Sequence, residues 1–137
     1  MAFRALLFTL CYLPLLPAAA VAETQSVETG QNDYEMYCAT CHGLSGAGDG
    51  PLSEYLTAEV PDLTTLSERN AGVFPLRHVL DIIDGSAELR GHGGAMPVYG
   101  WVFETEAGTN DTAHTPGDLP AHERILSVAR YLESLQK

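Results

Sequence analysis

An all-α fold is predicted by three features of the chain. Several segments carry apolar residues at helical spacing, clusters of glycine and proline separate them, and no stretch alternates apolar and polar residues as a half-buried strand would. The first segment runs from Ser26 to Thr40, with Val27, Gly30, Tyr34, Met36 and Tyr37 in its pattern, and leads into a pair of cysteines. Gly43, Gly46, Gly48, Gly50 and Pro51 end regular structure after it. Leu52 to Leu56 is expected to form a short helical turn, and Pro61-Asp62-Leu63-Thr64 reads as extended chain or turn. A second helix is predicted over Val73 to Ile83, where Leu76, Val79, Leu80 and Ile83 fall at helical spacing and Gly85 stands ready as the C-cap. Gly91-His92-Gly93-Gly94-Ala95-Met96-Pro97 is too rich in glycine and proline for helix or strand and is expected to be a loop. Trp101 and Phe103 follow as apolar anchors, and the stretch from Glu104 to Pro120 turns polar and acidic, which predicts a long surface loop over about 104–120. The last helix, Ala121 to Gln136, places Ile125, Val128, Leu132 and Leu135 on one face, with Arg130 and Lys137 toward the end where positive charge suits the helix dipole. No internal repeat is visible.

The chain opens with Met1-Ala2-Phe3-Arg4, an apolar run from Ala5 to Ala20, and the small-x-small sequence Ala20-Val21-Ala22. This reads as a secretory signal peptide over 1–22, cleaved after Ala22. The alternative, an uncleaved membrane anchor, is opposed by Pro14 and Pro17 inside the run. Phe8-Thr9-Leu10 lack the small residues that lipid attachment at Cys11 would need. What remains, 23–137, has the length of one small domain. Arg4 is the only charged residue in the leader, so cleavage moves the formal charge from -11 to -12. Nucleic acid is therefore a poor partner. A surface this acidic suits a basic docking patch on another protein, and equally suits plain solubility.

Cys11 leaves with the leader, so Cys38 and Cys41 stand alone and no disulfide framework is available. A small domain without crosslinks needs another source of stability, and a buried cofactor would supply it. Cys38-Ala39-Thr40-Cys41-His42 is the C-x-x-C-H attachment signature of c-type haem. One helical turn separates the thiols, so both face one porphyrin edge, while the next residue is directed beneath the metal. Two other readings use the same cysteines. Zinc asks for four ligands, yet His78, His92, His114 and His122 are scattered singly. A thioredoxin-like dithiol should follow a strand in a βαβ unit, and none is visible.

Over the mature part the sequence resembles the class I c-type cytochromes. Gly30, Tyr34, Cys38, Cys41 and His42 reproduce the family's order of glycine, aromatic, Cys, Cys and His, and Tyr131 matches the aromatic of the last helix. The resemblance implies a cytochrome c fold in which the N- and C-terminal helices cross at Gly30, with one covalent haem c buried in the core. It points to Met96, followed by Pro97, as the sixth iron ligand opposite His42, since Met36 lies too close to Cys38 to reach around the ring. His92 is the competing ligand, His78 a weaker one, and Met96 as core filler is the structural alternative. Pro61 resembles the proline whose carbonyl accepts from the proximal histidine, against a plain turn proline. Tyr99 and Trp101 are candidates to pack on the haem or bond a propionate, and core packing explains Trp101 equally well.

The function implied is single-electron transfer by a periplasmic carrier or by the cytochrome subunit of an oxidoreductase. Its partners would be redox proteins with basic docking patches, and it would meet a membrane only through a partner or an uncleaved leader. The rivals are a five-coordinate haem enzyme or gas sensor, with His92 and Arg90 as the distal candidates, and a haem-free redox dithiol. The chain departs from the simplest family members in the acidic stretch at 104–120 and in its overall acidity.

Overall fold

The computed structural model describes residues 18–87, 96–109 and 119–137. Among these residues there are six α-helices and no strand: α1 (Ala18–Tyr37), α2 (Ala39–His42), α3 (Leu66–Arg69), α4 (Leu76–Asp84), α5 (Tyr99–Thr109) and α6 (Ala121–Ser134). Short 3-10 turns stand at Ser53–Tyr55 and Leu63–Thr65.

The frame is the crossing of α1 and α6. A methyl group on Gly30 would overlap the Ser127 carbonyl and lie 2.8 Å from the Val128 nitrogen, so at this point the two backbones are in direct contact. One turn further along α1, Tyr34 is fully buried, and its ring meets Tyr131 at 5.3 Å between centroids. The glycine thus faces the α6 backbone itself, and the aromatic of α6 packs one turn away. The apolar face of α6 delivers Ile125, Val128, Ala129 and Leu132 to the core, where Val79 and Ile83 of α4 and Phe103 of α5 join them.

Several element boundaries differ from expectation: α1 begins at Ala18 rather than Ser26 and so runs across the expected cleavage point after Ala22, and two other differences have local reasons. α4 begins at Leu76 rather than Val73 because Pro75 excludes the α conformation from Phe74 before it. Gly85 closes that helix at φ +88°, the left-handed cap that the sequence implied. α1 ends at Tyr37, and Cys38 joins it to the separate turn of α2.

A larger correction concerns 104–120. Its first part, with Trp101 and Phe103, belongs to α5, and 110–118 lie outside the described residues. Tyr99, Phe103 and Glu106 are spaced to share one face of that helix, and Phe103 is 1 % exposed. A surface helix needs only one such stripe, and the polar composition of the rest hid it.

The turn at Leu63–Thr65 is nucleated by Asp62, whose Oδ1 accepts from the Thr64 amide at 2.8 Å and its hydroxyl at 2.6 Å. α3 follows, and the C-terminus secures it. The Ser67 amide donates to Gln136 Oε1 at 2.8 Å, Gln136 Nε2 donates to the Leu63 carbonyl at 2.8 Å, and the Lys137 amide donates to the Thr64 carbonyl at 3.1 Å. No helix among the described residues is long and apolar enough to cross a membrane.

Candidate functional site

Cys38 hangs from the end of α1 through its amide, 2.8 Å from the Tyr34 carbonyl, and its own carbonyl accepts from Cys41 and His42 at 3.1 and 2.9 Å. The helical course therefore continues through the cysteine pair, which keeps both thiols and the histidine on one short, rigid turn. The carbonyls at the end of that turn have no helical partners, and the glycine-rich segment supplies them. Leu52, Gly50 and Gly48 donate their amides to Thr40, Cys41 and His42 at 2.9, 3.1 and 2.9 Å. Gly48 has φ +84°, and a side chain there would come 2.5 Å from the Val60 carbonyl, so the glycine run lets the 60–61 segment close over His42. The buried Tyr34 hydroxyl locks the turn by donating to the Gly43 carbonyl at 2.7 Å. Burial pushes this phenol well above its ordinary range, so it remains a donor.

Beside this turn lies a cavity of about 390 Å³. Cys38, Cys41, His42, Pro61, Met96 and Tyr99 all line it, and its apolar walls include Leu63, Val79, Ile83 and Leu132. The volume falls among those of cofactor sites. Among the described lining residues, the formally charged side chains are Glu59 and Arg69. His42 is 8 % exposed, and its Nδ1 is buried without a partner in hydrogen-bond geometry. Burial lowers the pKa of this ring, and the nearby Pro61 carbonyl offsets part of that.

Burial, with smaller contributions from Asp33 and Cys41, pushes the Cys38 thiol up to about 12. A thiol so far from ionisation works against nucleophilic dithiol chemistry. Two cysteines on one rigid turn, a buried imidazole next to them, and an apolar cavity reached by a thioether fit a covalently held haem.

The other predicted residues divide. Tyr99 reaches the cavity, and its hydroxyl donates to the Tyr37 carbonyl at 2.6 Å, which ties α5 to the residue before Cys38. Burial raises this phenol to about 12. Trp101 is a correction: it is 68 % exposed and is not in the cavity lining, so neither the haem contact nor core packing describes it. Two positions on from Tyr99, it points to another side of α5. His78 is an exposed member of the cavity rim, and His92, Arg90 and His114 lie outside the described residues.

One cluster was missed. Arg124, in the first turn of α6, donates to both oxygens of Asp33 at 3.0 and 2.6 Å and to Glu106 at 2.8 Å. The Tyr37 hydroxyl also donates to Glu106, at 2.8 Å, and the guanidinium lies 3.9 Å from the Phe103 ring centre. Arg124 and Asp33 are only 17 % and 13 % exposed in their side chains. A cation at a helix N-terminus opposes the helix dipole. That mismatch was the available sign that Arg124 has partners elsewhere.

A family model described as Cytochrome c matches residues 27–136. No curated protein and no solved structure matched the chain.

Proposed function

Since the chain belongs to the cytochrome c family, whose members bind haem c covalently and generally carry electrons, we propose that it is an exported, periplasmic monohaem carrier or oxidoreductase subunit. The observation that carries this reading is that a single apolar cavity gathers Cys38, Cys41, His42 and Met96. In it Cys38 and Cys41 would hold the haem covalently, and His42 and Met96 would bind its iron. Haem held in this way would supply one-electron chemistry. The protein's contribution is to hold that arrangement still. The capped turn of α2 fixes His42, Pro61 lies near its ring, and apolar residues of α4 and α6 line the cavity, so little has to rearrange when the charge changes.

Export rests on the leader at 1–22, and the acidic charge, -11 with the leader and -12 without it, favours a partner with a basic patch. The test is an absorption spectrum of the oxidised and reduced protein, alongside Met96→Ala. The expected result is a weak far-red band of sulfur-ligated ferric haem that disappears in the variant, with carbon monoxide leaving the reduced wild type unchanged. A wild type that is high-spin or binds carbon monoxide readily would give the open-site enzyme or sensor reading the lead.

A further inference from the structure

We propose that Arg124, with Asp33 and Glu106, is a clamp that keeps the Met96 segment seated against the cavity, so that it governs how often the axial position opens. This rests on the reading of Met96 as a ligand. Met96 packs against the core and stands three residues before Tyr99, the first residue of α5, so that helix is one of the elements that set its position. At the near end, α5 is held by packing and by the Tyr99 hydroxyl. A side chain on Gly85 would come 2.5 Å from Val98, one on Gly100 would come 2.7 Å from the Asp84 carbonyl, and the Tyr99 hydroxyl bonds Tyr37.

Farther along, the ion-pair cluster ties α5 to α1 and α6 together. Glu106 accepts from Arg124 and Tyr37, and Arg124 is itself fixed by its two-pronged contact with Asp33. Because Arg124 and Asp33 are largely buried, removing the cation takes the ion-pair partner from Asp33 and one contact from Glu106, which keeps its bond from Tyr37. The far part of α5 is then tied less firmly to α1 and α6, and the loosening is carried along the helix toward Met96.

The experiment measures how fast oxidised holoprotein binds imidazole at saturating imidazole, where opening of the axial position limits the rate. It is run on wild type, Arg124→Gln, Glu106→Gln and Arg124→Lys. Ile125→Val, on a buried face of α6 outside the cavity lining, serves as a control for general loss of stability. We expect both Gln variants to bind imidazole about ten-fold faster, equivalent to ~1.4 kcal/mol of anchoring, with a weakened far-red band. Arg124→Lys should recover part of the effect and Ile125→Val none of it. If Arg124→Gln does not fold, Glu106→Gln decides, since that carboxylate is half exposed. Rates equal to wild type, or a rise matched by Ile125→Val, overturn the clamp and leave the Met96 reading standing. A wild type without the far-red band removes both.

Discussion

Replacing Gly30 by alanine sets two effects of opposite sign against each other. In an isolated helix the substitution is favourable by about 1 kcal/mol, because glycine loses more backbone freedom than alanine on becoming helical. In the fold the new methyl group overlaps the Ser127 carbonyl and comes 2.8 Å from the Val128 nitrogen, where ordinary contact begins at 3.4 Å. Both neighbours are main-chain atoms, so no rotamer change relieves the clash and α6 itself must move by more than half an ångström. Overpacking of this kind costs about 1–3 kcal/mol, and the upper end applies where only backbone can give way. The net expectation is a loss of roughly 2 kcal/mol, or about 10 °C in melting temperature for a domain of this size. Val128 and Leu132 line the cavity from α6, so the haem absorption should broaden as well. Thermal unfolding of holoprotein by far-UV circular dichroism, read beside the Soret band, is the assay. An alanine variant as stable as wild type, or more so, would refute the account of the crossing.

Three further outcomes are expected. A Cys38→Ala, Cys41→Ala chain cannot hold haem covalently, which leaves the 390 Å³ cavity at the centre of a small core, so it should be largely unfolded, and a cooperative haem-free transition would contradict this. Glu106 sits below its ordinary value of 4.5 chiefly through Arg124; because its pKa is lower in the folded state, its contribution to stability is complete above about pH 4.5 and is lost as pH falls through the folded value. The melting-temperature gap between wild type and Glu106→Gln should therefore be steady near neutrality and shrink in acid, and a gap that widens there would count against the ion pair. Trp101→Ala, at a position 68 % exposed, should change stability by no more than about 0.5 kcal/mol and leave the Soret band in place; a shifted band would return Trp101 to the haem.

The parts of the site that were legible in the sequence are those whose chemistry acts over a few residues. Covalent attachment needs two thiols one helical turn apart with a histidine beside them, so Cys38, Cys41 and His42 declare themselves by spacing. The helices that carry the core, α1, α4 and α6, are visible because burial of one face imposes a period near 3.6 on apolar residues, and Gly85 marks an end because few other residues accept its φ. α3 and α5 were not legible. The polar groups of α3 are met by Gln136 and Lys137 from the far end of the chain, and α5 needs apolar residues only on the face it turns to Tyr37 and Arg124. Nor does spacing indicate that Arg124 would meet Asp33, 91 positions away, or that Tyr99 would reach the cavity while Trp101 faces solvent. The sequence by itself carried the attachment signature and determined the helical class, because both arise from short-range geometry. Only the tertiary structure decided which charges are buried together and which aromatic faces the cavity, because both depend on which helix faces come together when α1, α5 and α6 pack.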